Sequence, residues 1–340
     1  MKVKLEDVCE RGSSNLKQSD IVEIDGGYPI YGASGYIGNV DFYHQENPYV
    51  AVVKDGAGIG RTTLNPAKSS VIGTMQYLIP KENVLPEYLY YVVSYMHLEK
   101  YFTGATIPHI YYKDYKNEKF NLDPLDRQKT IVDILGKCEA VIKARKRELE
   151  LLDNLIKARF VEMFGDPRSN PYGFNMKMLK DTCKVITGNT PSRSVEEYYG
   201  DYVEWIKTDN IVSGLLNPTK ASEMLSEEGM KVGRAVGKDS ILMACIAGSI
   251  ASIGRVCVTD RTVAFNQQIN AVVPEDYNIL FLYVLLQLSK EYLAEEVNMA
   301  LKGILSKSKL EEKEFMVPPI ELQNQFADFV HQVDKSKLLR

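Results

Sequence analysis

The feature that most constrains this chain is that it contains one pattern twice. Asp123-Pro-Leu-Asp-Arg-Gln-Lys-Thr-Ile-Val-Asp-Ile-Leu135 is matched by Pro318-Pro-Ile-Glu-Leu-Gln-Asn-Gln-Phe-Ala-Asp-Phe-Val330. Pro124 aligns with Pro319, Gln128 with Gln323 and Asp133 with Asp328, each 195 positions apart. Upstream, Ile59-Gly-Arg61 recurs as Ile253-Gly-Arg255, and Lys4-Leu-Glu-Asp-Val-Cys9 resembles Met178-Leu-Lys-Asp-Thr-Cys183. Ordered matches at nearly constant spacing indicate a duplicated unit. Each copy reads as a globular domain of over 100 residues followed by a helix that starts at a proline, where the missing N–H goes unneeded. The spacing also predicts an insertion of about 20 residues in the second copy, before its Ile-Gly-Arg.

Two domains also suit a length of 340 residues. Short apolar runs bounded by turn residues, such as Tyr49-Val-Ala-Val-Val53 and Ile241-Leu-Met-Ala-Cys-Ile246, read as strands. Glu87–Met96 and Leu280–Leu288 read as one helix in each half. The class is therefore α+β: two similar domains separated by long helices.

Between Leu125 and Met163 there is no proline, and Gly136 is the only glycine. At 1.5 Å per residue this predicts a rod of roughly 58 Å. Ile131, Leu135, Cys138, Ile142, Leu149, Leu152 and Ile156 recur in alternating steps of four and three, with Arg145 in the gap, as in a coiled-coil seam. Phe164-Gly-Asp-Pro167 ends the helix. The expected partner is the helix starting at Pro319, whose Leu322, Phe326, Phe329 and Val333 keep the spacing. The two would pair as an antiparallel coiled coil and act as a spacer. The second helix has only about 22 residues before Arg340, so the pairing is expected over half the length, with a shortened C-terminal helix. The expected organisation is a first domain over 1–122, a spacer helix over 123–167, a second domain over 168–317 and the short helix over 318–340.

Composition excludes some classes. The apolar fraction is 45%, but no run approaches the ~20 residues of a membrane span, and the N-terminus lacks a signal-peptide core. The five cysteines are scattered, which fits a reducing cytoplasm better than disulfides or zinc. The net charge of −4 disfavours a non-specific nucleic-acid binder; any such contact must come from local patches.

Motifs for catalysis are not met. Asp55-Gly-Ala-Gly-Ile-Gly-Arg-Thr-Thr63 is glycine-rich, yet a phosphate cradle needs glycine where Asp55 stands and lysine where Arg61 stands. The stretch reads as a tight turn between strands, or as one that aims Arg61 outward. Asn47-Pro-Tyr49 and Asn170-Pro-Tyr172 each lack one proline of an amino-methyltransferase motif. His44, His97, His109 and His331 show no metal spacing.

The order of motifs along the chain resembles the specificity subunit of Type I restriction-modification systems. The likeness rests on Ile186-Thr-Gly-Asn-Thr-Pro-Ser192, Glu197-Tyr-Tyr-Gly200, Glu204-Trp-Ile-Lys-Thr-Asp-Asn-Ile211, Ser226-Glu-Glu-Gly229, Ile253-Gly-Arg255 and Asn266-Gln-Gln268 in the second half. In the first half it rests on Tyr28-Pro-Ile-Tyr-Gly-Ala-Ser-Gly35, Gly58-Ile-Gly60, Gly104-Ala-Thr-Ile-Pro108 and the join Phe160–Pro167. The resemblance implies a non-catalytic chain with two target-recognition domains, each reading half of a bipartite double-stranded DNA site. It implies spacer helices that dock methyltransferase subunits, and through them restriction subunits. S-adenosylmethionine, ATP and Mg would belong to those partners, with no cofactor on this chain. The shortened last helix departs from the family pattern. It leaves open a truncated or rearranged specificity protein that binds DNA or coiled-coil partners without an active complex, or one that dimerises through that helix.

Base edges are read by residues with paired donors and acceptors, and phosphates by any well-placed donor. On that basis the candidate DNA contacts are Arg61, Tyr111 and Lys113 in the first domain. In the second they are Thr190, Ser192, Arg193, Lys207, Arg255 and Gln267. The bland alternatives are turn-forming arginines, tyrosines packing a domain edge beside solvated lysines, and a buried amide network at Gln267-Gln268.

Overall fold

The computed structural model describes residues 1–21, 25–103, 107–295, 297 and 303–338, so part of Gly104–Pro108 lies outside the described residues. The chain divides into two compact units, Met1–Ala144 and Arg145–Arg340.

The first unit opens with β1 (Lys2–Lys4), a single turn α1 (Leu5–Val8) and β2 (Cys9–Ser13). There follow β3 (Tyr28–Gly32), β4 (Gly35–Val40), β5 (Tyr49–Val53), β6 (Thr62–Asn65), β7 (Ser70–Val71) and β8 (Met75–Pro80). Then come α2 (Pro86–Tyr95), α3 (Tyr112–Tyr115), β9 (Lys119–Asn121) and the long α4 (Leu125–Phe164). The strands form a four-stranded sheet, β2-β8-β5-β6, a three-stranded sheet, β4-β3-β7, and the pair β1-β9. Every residue of β5 is buried, as its unbroken apolar run predicts for an interior strand.

The second unit repeats the scheme. Its elements are β10 (Asn175–Met178), β11 (Cys183–Thr187), β12 (Tyr199–Ile206), β13 (Met224–Leu225), α5 (Glu227–Val232), β14 (Ala235–Val236), β15 (Ile241–Ala244) and β16 (Ile246–Ala247). β17 (Val256–Val258), β18 (Val263–Phe265), β19 (Ile269–Pro274), α6 (Ile279–Leu288), α7 (Lys290–Ala294), β20 (Gly303–Ile304), α8 (Lys307–Glu312), β21 (Glu314–Val317) and α9 (Ile320–Leu338) follow. β11-β19-β15-β17 is the counterpart of the first four-stranded sheet. β13-β12-β18-β14 corresponds to the second, and β10-β21 to β1-β9. The parallel pairing of β3 with β7 recurs between β12 and β18. The extra residues of the second unit fall mainly between β12 and β15, where α5 and β14 stand.

The Ile-Gly-Arg signature is one turn built twice. The Gly60 N–H donates to the Val53 carbonyl at 2.9 Å, and the Gly254 N–H to the Ala244 carbonyl at 2.9 Å. Val53 and Ala244 then donate to the carbonyls of Arg61 and Arg255, again at 2.9 Å. Both glycines have positive φ, +81° and +73°, a region that side chains rarely adopt. The turn therefore needs glycine, and it leaves the following arginine at a fixed place.

The division between the units falls inside α4 rather than at its ends. Ile131 packs on the first unit's core and Leu135 is half-buried. Beyond Arg145, the helix belongs to the second unit. There it runs antiparallel to α9: Phe160 meets Phe326 with ring centroids 5.4 Å apart, and Lys337 pairs with Asp153 at 2.7 Å. Leu152 and Ile156 pack into that unit's core, and Leu149 is half-buried. Ile142 does not join the seam; it is 54% exposed, and Cys138 beside it is exposed too. The reason is reach. Arg145, whose Nη2 donates to the Lys337 carbonyl at 2.5 Å, meets the last described turn of α9. Ile131 and Val132 pack on the core of the first unit instead. A single apolar period thus serves two separate packing surfaces. Gly165, at φ +75°, closes α4, its N–H donating to the Val161 carbonyl.

Candidate nucleic-acid interface

Residues far apart in sequence meet on one edge of the second unit. The loop after β11 carries Thr190, Ser192 and Arg193; the end of β12 carries Lys207; the turn between β18 and β19 carries Gln267. Thr190 donates its hydroxyl hydrogen to the Gln267 side-chain carbonyl. Within Asn266-Gln-Gln268 the roles divide. Asn266 is buried and donates to Gln268, whereas Gln267 projects into solvent. The buried amide network and the exposed candidate are therefore neighbours in one turn. Asn189 holds the loop in place by donating to the Val232 carbonyl and accepting from the Arg234 N–H, both at 2.9 Å.

Arg193 and Lys207 are brought together over two aromatic rings. The Arg193 guanidinium lies 4.7 Å from the Tyr199 ring centre and 5.3 Å from that of Trp205; the Lys207 ammonium lies 5.1 Å from the Trp205 centre. Both cations also bond one carboxylate, Glu223: Arg193 Nη2 at 2.7 Å and Lys207 Nζ on the other oxygen. Lys207 donates most strongly to that carboxyl; burial opposes it and Arg193 adds to it, so Glu223 stays below the usual carboxylate range. Ser192 bonds Ser194 at 2.8 Å at the exposed tip of the loop.

Arg255 is tied down. Its Nη2 donates to the Thr208 carbonyl at 3.2 Å and its Nε to the Ser252 carbonyl at 3.3 Å. It also lines a cavity of about 220 Å³ with Asp153, Tyr283 and Lys337. Arg61 in the first unit also bonds a backbone carbonyl: its Nη1 donates to that of Ala33 at 3.0 Å. Each arginine thus braces the loop that follows its unit's parallel strand.

In the first unit, Tyr111 and Lys113 sit together and exposed, the ammonium 5.4 Å from the ring centre. Tyr111 stacks on His109, whose Nδ1 lies 2.6 Å from the carboxylate of Asp55; Lys54 holds the other oxygen at 2.5 Å. Burial works against the charged form of Asp55, yet the bonds from Lys54 and His109 outweigh it and keep its carboxyl below the usual range.

Glu223, Tyr199, Trp205, Asn189 and Asp55 are participants that sequence reasoning does not single out. Asn189, Tyr199 and Trp205 lie within the quoted motifs, and the glycine-rich stretch begins at Asp55, but Glu223 carries no signal. Among the described residues no group of three His, Cys, Asp or Glu is placed to hold a metal. Burial pushes the thiols of Cys9, Cys183, Cys245 and Cys257 up to about 12. No described helix is long and apolar enough to cross a membrane.

The family model for the Type I restriction modification DNA specificity domain matches residues 1–152 and again 171–339. The chain belongs to this family. The two matches coincide with the duplication seen in sequence and in fold. Among curated relatives, the Type I restriction enzyme HindI specificity subunit of Haemophilus influenzae is 35% identical over 120 residues, 34% of this chain and 25% of that protein. The MjaIX and MjaVIII specificity subunits of Methanocaldococcus jannaschii are 24% and 23% identical. They align over 74% and 78% of this chain, and over 63% and 66% of their own lengths. The matched stretches thus span less than two thirds of these relatives. A Type I restriction-modification S subunit from M. genitalium shares the fold, with a TM-score of 0.64 at 14% identity, over 99% of this chain and 90% of that one. A second solved chain, from work on complex assembly and conformational transition of the type I R-M system, gives 0.53 at 15% identity with the same coverage.

Proposed function

We propose that this specificity-family chain reads a bipartite double-stranded DNA target, one half-site per unit, and performs no chemistry itself. The observation that carries this is the doubled unit with unlike edges. The turn, strand pairing and bracing arginine repeat, while the exposed side chains do not. Thr190, Arg193, Lys207 and Gln267 offer donors and cations on one unit, and Tyr111 and Lys113 on the other. Duplicated frames with divergent edges suit two half-sites of different sequence. A net charge of −4 suits local readout better than general attraction.

Methyltransferase subunits are the proposed chemical partners, bringing S-adenosylmethionine, with restriction subunits adding ATP- and Mg-dependent cleavage through the complex. The exposed Ile134, Val141 and Ile142 on the first part of α4 provide apolar surface for a partner's helix.

Selection of bound sequences from a random duplex pool, with the methyltransferase subunits present, tests the reading. The expected result is a split motif with a fixed gap. Absence of enrichment, or methyl transfer by this chain alone, overturns it.

A further inference from the structure

Glu223 is an odd neighbour for a surface meant to meet phosphates. It takes up two cations of the second unit's edge, Arg193 and Lys207. Its backbone, through the carbonyl that accepts the Trp205 N–H at 3.1 Å, already anchors the start of β13. Its side chain is about one-third exposed and turns outward to the pair. The two cations differ in freedom. Lys207 is 27% exposed and Arg193 58%. Both lie over the face of Trp205. Phosphates on any sequence attract free cations equally, and such contacts add affinity without discrimination. A carboxylate that occupies the cations first taxes every encounter. Only a site that also satisfies the neighbouring Thr190–Gln267 pair recovers the loss. Repulsive or competing groups of this kind set specificity as differences of affinity.

We propose that Glu223 is a specificity-determining counter-charge: it holds Arg193 and Lys207 away from non-specific DNA, and Arg193, the more exposed, is released to DNA on recognition. This rests on the DNA-reading function proposed above, and the test separates the two.

Binding of the full chain to a random-sequence duplex is measured across a salt series for wild type, Glu223→Gln and Glu223→Asp. Glutamine keeps the shape and removes the charge, so its random-duplex affinity rises several-fold at low salt. Its plot of log affinity against log salt steepens by about 0.9 for each further phosphate that the freed cations neutralise, one or two in all. Aspartate keeps the charge and stays near the wild-type slope. Trp205, the only tryptophan, reports on the same cluster: its emission shifts when Arg193 leaves the ring in Glu223→Gln. An unchanged slope in Glu223→Gln, with wild type binding in a salt-dependent way, overturns the inference and spares the DNA reading. Aspartate behaving like glutamine also overturns it, because charge would not be the cause. Wild type that binds no duplex at any salt concentration, even with the methyltransferase subunits added, sinks the DNA reading, and the inference with it.

Discussion

Gln128 and Gln323 are two copies of one joint. Each is fully buried, and each side-chain carbonyl accepts, at 2.9 Å, from the backbone N–H that starts a helix: Leu85 ahead of α2 and Asn278 ahead of α6. Each amide nitrogen donates, at 2.8 Å, to a carbonyl five residues back in its own chain segment, Asp123 or Pro318. Helix starts leave N–H groups without partners, and a buried one must be satisfied. The glutamine does this and locks one helix against the next.

Gln128→Ala should therefore unlatch the first unit only. It strands the Leu85 N–H and the carbonyls of Asn83 and Asp123, at a cost of about 2–4 kcal/mol. Hydrogen exchange should quicken across α2 and stay unchanged in Arg145–Arg340. Gln323→Ala should give the reverse pattern. Equal loosening of both units by either variant would show that the joint is not local.

The two Ile-Gly-Arg turns should tolerate alanine unequally. Both glycines hold positive φ, which costs a side chain roughly 1–2 kcal/mol. A Cβ on Gly254 meets nothing nearer than the Lys290 side chain at 3.5 Å. On Gly60 it would lie 2.6 Å from the Glu99 backbone nitrogen, so the 98–101 turn must move. Gly60→Ala should lower the melting temperature clearly more than Gly254→Ala, and a reversed order would contradict the geometry.

Phe160 lies at the centre of the helix pairing. It stacks on Phe281 at 5.2 Å and meets Phe326 edge-on at 5.4 Å, fully buried. Phe160→Ala should cost about 3–5 kcal/mol. Because the same cluster seats α9, amides of residues 320–338 should lose protection. Retained protection there would mean that α9 is held by α6 alone.

Much of the fold is legible in sequence, since the repeat is made of residues that the backbone needs: a glycine at positive φ, a proline before a helix, a buried glutamine latch. The four-and-three period of α4 is legible too, but period alone does not say which surface covers each residue. Ile131 and Ile156 fill different cores, and Ile142 fills none. The candidate edge is half legible. Polar residues in turns, such as Thr190 and Gln267, can be suspected one by one. Glu223 cannot, because it stands 16 positions from Lys207 and 30 from Arg193, and only the strand pairing of β12 with β13 brings it to them. Arg255, in the same way, meets the carbonyl of Thr208, 47 positions away, only in the folded chain.

Acid should act on the second unit through Glu204. Its carboxylate receives two bonds from Arg261, both at 2.9 Å, and one from the Ala221 N–H at 2.8 Å. The Arg261 bonds dominate, burial opposes them, and the carboxyl is held below its ordinary value. A carboxylate with a lowered folded-state pKa stabilises the fold above the unfolded value, about 4.3, and loses that contribution as pH falls through the folded one. Arginine stays charged throughout. Glu204→Gln should cost about 1–2 kcal/mol at pH 7, between the values for exposed and buried pairs. Denaturant unfolding of wild type and variant should show this gap as constant from pH 6 to 8 and closing below about pH 4. A gap that does not begin to shrink as pH falls below about 4 would assign the effect to packing of the side chain instead of its charge.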